Sequence, residues 1–539
     1  MTEPARDAAP QLNASLLGSD SRWEDSRAAR ARELPERVLQ FGEGNFLRGF
    51  VDWMLERMNR QGLFNGRAVL VQPIAEGLGE RINQQDGLYT VLLRGVAADS
   101  MLEQRELVTS VSRCLDPYRG FDAVLGLASA PELRFVVSNT TEAGIRLDPD
   151  DRLDGRPACS FPAKLTQLLY ARFRHFDADP AKGWVMLPCE LIERNGDALE
   201  RAVKQLVADW ALPLEFEAWL NRSCVFTNTL VDRIVTGFPT EEADALASEL
   251  GYRDDLIVAG EVFHSWVIES PRPLEEELPL ARAGLEVVWT RDMTPYRERK
   301  VRILNGAHTL MALAAFLAGK DTVRECMDDA LFRRYVEGAL SLEILPTLTL
   351  PVAELSSFAG SVLERFGNPF IQHPLLNISL NSVSKYKARL LGTLLDNQRQ
   401  GMSSPRLEFA LAALLAFYRG SALSDNALTG ERQGQPYAIR DEARVLEHFA
   451  NVWRQSPAGA CSSELCTRLV KDTLARQDFW GCALHEVSPD LTVTVARHLN
   501  AICTVGVRAA LEQMLESLNP PPTDSSPQYS RLDLCFRDS

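Results

Sequence analysis

Residues Val38–Gly49, VLQFGEGNFLRG, run from an apolar segment through a glycine-rich turn into an amphipathic stretch, Phe50–Met58. Strand, tight turn and helix in that order present backbone N–H groups to a phosphate at a helix N-terminus. The fit to G-x-G-x-x-G is partial. Gly42 and Gly44 fill the first two positions, and Leu47 stands at the third. An ordinary tight turn has the same composition, so the context carries the reading. The turn residues Phe41, Gly42, Gly44, Asn45, Phe46 and Arg48 become candidate contacts for a dinucleotide.

Working outward, further short β-rich runs alternate with helical stretches: Ala68–Gln72, Leu133–Ser138, Trp184–Leu187 and Cys224–Thr227. Such alternation predicts a parallel sheet with helices on both faces. From about Thr294 helical periodicity dominates, as in Leu407–Tyr418 and Ala443–Trp453. Ser265–Gly284, with Pro271, Pro273 and Pro279, reads as a hinge region, and Leu285–Trp289 as a last strand after it. The expected organisation is a mostly disordered or loosely helical extension over 1–33, a Rossmann-type dinucleotide-binding domain over 34–285, a helical substrate domain over 286–518, and a tail over 519–539. The fold class is therefore an α/β N-terminal Rossmann-type domain followed by a mostly α-helical C-terminal domain.

Composition narrows the functions. The 539 residues carry a formal net charge of −15 with no basic stripe, which argues against a nucleic-acid partner. No run reaches the length of a membrane span, and the N-terminus lacks the apolar core of a signal peptide, so a cytoplasmic location is expected. The ten cysteines form no C-x-x-C pair, and none of the spacings suits a metal. Free thiols and no metal are the reading.

The second strand ends at Gln72. Neither an acid for the ribose hydroxyls nor a cation for a 2′-phosphate stands directly there; Glu76 and Arg81 come later. The absence of a strand-end cation favours NAD. After a later strand, Ser138–Gly144, SNTTEAG, offers Asn139 and Thr140 to the same crevice, or else forms a plain polar loop.

The chemistry is carried by Arg297–His308, RERKVRILNGAH. On an ideal helix Asn305 lies about 140° and His308 about 80° around from Lys300. A base, an amide and an imidazole on one face suit proton removal from an alcohol and polarisation of a carbonyl. An exposed helix can hold the same residue types for structural reasons. Against that, the helix continues as the apolar run Thr309–Gly319, and a lysine and a histidine at its entrance are costly unless paired or used. Thr294-Pro295 reads as an N-cap followed by proline at the first helical position. Further on, Asn368–Arg389 carries His373, Asn377, Lys385, Lys387 and Arg389: either a carboxylate clamp or a solvated helix face.

With these motifs in hand, the chain resembles the long-chain mannitol dehydrogenase family over roughly Leu34–Leu518. The likeness rests on VLQFGEGNFLRGFVDWM (Val38–Met54), VVSNTTEAGI (Val136–Ile145), TNTLVDRI (Thr227–Ile234), RKVRILNGAHT (Arg299–Thr309) and FALAALLAFYRG (Phe409–Gly420). The resemblance implies a zinc-independent, NAD-dependent oxidoreductase with its site between the two domains. It implies Lys300 as acid/base, Asn305 at the oxyanion and His308 orienting substrate, with Asp232 near the site and basic residues of the 368–389 region, Lys385 and Arg389 foremost, on the substrate. His373 is a further substrate candidate. Two positions depart from the family pattern. Cys189-Glu190-Leu191 stands where a C-D-N segment would place a second oxyanion Asn, with Asn195 nearby, and Arg297 replaces an acid three residues before the lysine.

The activity implied is interconversion of D-tagaturonate and D-altronate, in a monomer or homodimer whose partner is a small sugar acid. The alternatives are a mannonate/fructuronate or mannitol-type enzyme, and a dinucleotide-binding sensor without catalysis.

Overall fold

The computed structural model describes residues 9–19, 32–97, 100–140, 144–424, 427–454 and 462–518. The chain divides into two compact units, residues 1–297 and 298–539.

The first unit is built on six parallel strands: β1 (Glu36–Phe41), β2 (Arg67–Val71), β3 (Val111–Leu115), β4 (Phe135–Ser138), β5 (Val185–Pro188) and β6 (Val225–Phe226). Their order across the sheet is β3-β2-β1-β4-β5-β6. This is the doubly wound order, in which the chain reverses direction between β1 and β4 and leaves a crevice at their carboxyl ends. Alternation along β1 explains the two cores. Val38 faces one, with Phe50, Met54 and Val258, while Leu39 and Phe41 face the other, with Leu165, Trp184 and Phe216. The central strands β1, β2, β4 and β5 are buried on both faces over most of their length, as parallel strands between helical layers require.

Two smaller sheets complete the unit. Tyr89–Ala97 pairs antiparallel with Ser100–Val108 and parallel with Val258–Glu261. Ser265–Glu269 lies between Asn228–Asp232 and Val287–Thr290. The second of these sheets corrects two expectations. Ser265–Gly284 is not a hinge, since five of its residues are paired on both sides and Leu274, Leu278 and Leu280 are buried among the prolines. The division also falls after Arg297, beyond the expected 285/286, because the pairing of Val287–Thr290 holds that segment in the first unit.

The N-terminal extension is a further correction. Residues 1–8 and 20–31, and the expected tail over 519–539, lie outside the described residues. Residues 9–19 pack: Leu12 donates its N–H to Arg253 O at 2.8 Å, and Arg253 N–H returns to Pro10 O at 2.8 Å. Leu12 and Leu17 bury against Leu88, Leu107 and Tyr252, and Ala14–Ser19 is helical. A two-leucine patch in a polar segment is too short to show periodicity.

The second unit is mostly helical, as expected. Gly306–Leu317 and Pro405–Phe417 are apolar on nearly every face and pack on each other at its centre. It also contains a three-stranded antiparallel sheet, Gly420–Ser424, Ala427–Arg432 and Gln435–Ile439, absent from the sequence reading. Its hairpin turn, Gln433-Gly434, has positive φ at both residues, and Gln-Gly is not the Asn-Gly or Asp-Gly pair that usually signals such a turn.

The packed N-terminal segment makes a testable claim. Leu12→Ala should lower the unfolding free energy by about 2–5 kcal/mol, read as a urea midpoint shift in tryptophan fluorescence. A loss under about 0.5 kcal/mol, the range of an ordinary surface substitution, would return residues 9–19 to an unpacked extension.

Candidate functional site

In the first unit the candidate residues gather at the carboxyl ends of β1, β2 and β4. Gly42 leaves β1 with φ +118°, donates to Val71 O at 3.1 Å, and lies so close to β4 that an added Cβ would stand 2.8 Å from Asn139 O. Only glycine meets both demands. Gly44 is the opposite case: a Cβ there would meet nothing within 4 Å, so the space over the second glycine is open. The helix begins at Asn45 with no side chain capping it, and Gly44 and Asn45 are exposed. It continues through a π turn at Arg48–Asp52 to Arg60. An uncapped helix start beneath an open glycine fits a pyrophosphate.

The other cofactor candidates divide by what they touch. Phe46 stacks on Phe50 at 5.0 Å. Arg48 is buried and engaged: it donates to Glu43 O at 3.0 Å, Leu256 O at 2.5 Å and Asn45 Oδ1 at 2.8 Å. It positions the turn. Gln72 is likewise spent on its own loop, donating to Ile74 O and Ala75 O and accepting from Gly79 N–H. Asn139 donates to Cys189 O at 2.9 Å. Thr140, through both N–H and Oγ, and Ser138 all donate to the Glu190 carboxylate, whose pKa burial raises. A cavity of about 330 Å³ adjoins these ends, lined by Phe41, Ile74, Thr140, Arg146 and Lys164 among others.

Those contacts explain one departure. Glu190 is the brace of the Ser138–Thr140 turn. Asn195 does not stand in for an oxyanion Asn, because its amide donates to Pro188 O, Glu190 O and Thr229 O and accepts from Gly196 and Thr229 N–H. It ties β5 to the strand Asn228–Asp232. At that strand's end Asp232 is half-buried and opposite Ser265. Arg297, in place of the expected acid, is ion-paired with Glu193.

Sequence reasoning missed the polar group under the turn. Gln40 donates to Gly42 O and to Asp52, and Tyr89 OH donates to Asp52 and to Arg48 O. Complete burial pushes the Asp52 carboxyl up to about 7. An acid on the apolar face of the first helix was the available signal.

In the second unit the helix bearing the candidate catalytic residues is not regular. Residues Lys300–Asn305 form a π turn, and the α-helix resumes at Gly306. A π turn inserts a residue, so the ideal angles between Lys300, Asn305 and His308 do not apply. Nor is Thr294 the cap: it is helical itself and gives its N–H to Asp292 at 2.9 Å. Lys300, Asn305 and His308 are each half-buried. The segment Lys387–Leu391 is a second π turn packed on the first, and Gly306 permits the approach, since a Cβ there would lie 3.2 Å from Leu390 Cδ2.

His308 is the centre of a cationic group. Its ring lies 4.2 Å from that of Phe366 and 5.0 Å from that of His373, and its Nε2 is fully enclosed without a hydrogen-bond partner. Burial, then the charges of His373, Arg389, Arg365 and Lys385, hold its pKa well below the usual histidine range. It is a neutral imidazole at pH 7. Arg389 donates to Thr309 Oγ1 at 3.1 Å, and Lys385 Nζ donates to Ile378 O at 2.9 Å. Burial lowers the pKa of both, with Arg389 adding to the effect on Lys385. Lys385 and Arg389 are half-buried, while Lys387 between them is exposed. Arg365 and Phe366, from helix Val352–Phe366, were not anticipated; a lone Arg-Phe pair at a helix end carries no distinguishing pattern. Among the described residues no cluster of three His, Cys, Asp or Glu could hold a metal ion, and no helix is long and apolar enough to cross a membrane.

Comparison with known proteins follows the same division. A model described as the mannitol dehydrogenase Rossmann domain matches residues 36–282, and one described as the mannitol dehydrogenase C-terminal domain matches residues 292–503. An altronate oxidoreductase of Pectobacterium carotovorum is 48% identical over 89% of this chain and 97% of its own. One from Yersinia pestis is 46% identical and one from Escherichia coli 45%, each over the same shares. A D-sorbitol dehydrogenase structure superposes with a TM-score of 0.75 at 20% identity, covering 93% of this chain and all of the other. A Pseudomonas fluorescens mannitol 2-dehydrogenase superposes with 0.63 at 22%, covering 94% and 99%. At those identities the two structures speak for the fold. With both halves matched, and with relatives this similar over nearly their whole length, the chain belongs to the mannitol dehydrogenase family.

Proposed function

We propose that this protein is an NAD-dependent oxidoreductase that interconverts D-tagaturonate and D-altronate. The observation that carries the reading is the convergence of Arg365, Lys385 and Arg389 on His308 in a protein whose net charge is −15. A neutral polyol does not call for three cations at one histidine; a carboxylate does. The altronate oxidoreductases among its relatives support the same substrate class.

The open Gly44 and the uncapped helix start at Asn45 would hold the pyrophosphate of NAD, with Thr140 and Asn139 along the same crevice. When bound, the cofactor would supply the redox chemistry, a hydride given by NADH in reduction and taken up by NAD+ in oxidation. The remaining work falls to side chains of this chain. Lys300 gives a proton to the carbonyl oxygen in reduction and removes it from the hydroxyl in oxidation. Asn305 donates its amide N–H to that oxygen as negative charge develops. His308, neutral by burial, hydrogen-bonds a substrate hydroxyl through its unpartnered Nε2. Lys385 and Arg389 grip the carboxylate. Their backbone and threonine contacts hold them in place, and an entering anion relieves the cost of burying two cations side by side. The enzyme works in the cytoplasm on a free sugar acid.

A panel of keto acids and polyols, scored by NADH consumption, tests the assignment. Turnover confined to mannitol-type polyols would overturn it. Lys300→Ala should retain the fold and lower turnover by about 10²–10⁴-fold, the usual contribution of a general acid–base group; a variant with more than about half of wild-type turnover would remove Lys300 from the mechanism.

Lys385→Met and Arg389→Met should each raise the Michaelis constant for the sugar acid roughly tenfold or more, since a charged hydrogen bond contributes about 1.5–3 kcal/mol. A neutral polyol should be affected much less. Equal effects on both would return the pair to a packing role. NADH should be preferred over NADPH in the ratio of kcat/KM, because no cation directly follows β2.

A further inference from the structure

The NAD preference has no evident source at the usual place. The acid that selects NAD in this fold ordinarily stands at the end of the second strand. Here that position is Gln72, and its amide is consumed by Ile74, Ala75 and Gly79. Glu76 is exposed.

A carboxylate does reach this spot from elsewhere. Glu43, between the two glycines of the phosphate turn, is only 5% exposed. Its Oε1 accepts the N–H of Leu78 at 3.2 Å, and its Oε2 is enclosed with no hydrogen-bond partner. A Cβ built on Gly77 would stand 2.3 Å from Glu43 Oε1 and 2.6 Å from Gln72 Cδ, so the carboxylate lies against the side chain at the end of β2. Gly77 is the residue that leaves room for it. The cation whose charge Glu43 feels, Arg48, is bonded to the Glu43 carbonyl, to Leu256 and to Asn45. Leu78 and Asn45 also line a cavity of about 550 Å³ with Arg81, an exposed cation one turn into the next helix.

We propose that Glu43 is the residue that selects NAD over NADP, a negative charge delivered from the glycine turn to the end of β2. A 2′-phosphate brought to that strand end would meet a carboxylate whose nearby cation, Arg48, is engaged by the Glu43 carbonyl, Leu256 and Asn45, and like charges so placed cost several-fold to several orders of magnitude in affinity. The bonds to Leu78 also make Glu43 a brace of the β2 loop, and the two roles separate experimentally. The inference rests on the NAD-dependent reading above.

Dissociation constants for NADH and NADPH, measured by nicotinamide fluorescence without substrate, test it in wild type, Glu43→Gln and Glu43→Asp. Glutamine keeps an acceptor for Leu78 N–H and removes the charge; aspartate keeps the charge. The expected result is that the NADPH/NADH ratio of dissociation constants falls about tenfold or more in E43Q and stays near wild type in E43D. An unchanged ratio in E43Q, or equal weakening of both cofactors, would overturn the inference and leave Glu43 a loop brace. If E43Q fails to fold, a wild-type-like ratio in folded Glu43→Ala would overturn it equally. A wild type that itself prefers NADPH would instead sink the NAD reading.

Discussion

Gly306 is the point on which the chemistry of the second unit rests. It sits where one π turn gives way to the buried α-helix, and a Cβ there would crowd Leu390 of the other π turn at 3.2 Å. Two helices, each with an inserted residue, therefore meet at close range. Asn305 and His308 on one are brought beside Arg389 on the other, whose guanidinium reaches Asn305 O at 3.5 Å and Thr309 Oγ1 at 3.1 Å. A regular helix on either side would turn these groups to other faces. Inserted turns of this kind are frequent at functional sites, where a side chain is re-aimed.

Charge is handled in opposite senses in the two units. Around His308 the second unit gathers positive charge and pays in depressed pKa values for the histidine, Lys385 and Arg389. Beneath the phosphate turn the first unit hides carboxyls, and burial raises Glu43, Asp52 and Glu190. Each of those acids accepts hydrogen bonds from its surroundings: Glu190 from the Ser138–Thr140 turn, Asp52 from the Gln40 and Tyr89 side chains, Glu43 from the Leu78 amide. Hydrogen bonds from N–H and O–H groups lessen the cost of burying these acids.

The elements that the sequence made legible share one property: their signal is local. β1, β2, β4 and β5 are short, largely apolar runs ended by turn residues, and all four were located to within two residues of their observed ends. The candidate residues Lys300, Asn305 and His308 fall within nine residues of one another, so a single motif holds them. Where packing between distant segments decided the outcome, the reading failed. Leu12 is buried by Tyr252 and Leu107, and Ser265–Glu269 is held by strands on both sides, neither visible from the flanking residues. Asn195 lies close in sequence to the vacant oxyanion position, and three carbonyls consume its amide.

The sequence by itself determined the class of each unit, the position of the glycine turn and the short motif that holds Lys300, Asn305 and His308, because hydrophobic period, glycine placement and short motifs act within a few residues. Tertiary structure alone decided which charges matter. Lys385 and Arg389 turn to His308 while Lys387, between them, is exposed, and Arg365 joins from a third helix. It also decided that Glu43 lies against Gln72, 29 positions on, and that Arg48 serves the turn instead of a ligand. A side chain's charge and reach are written in its residue type, but the groups that desolvate it or satisfy it come from elsewhere in the chain, and those set what it does.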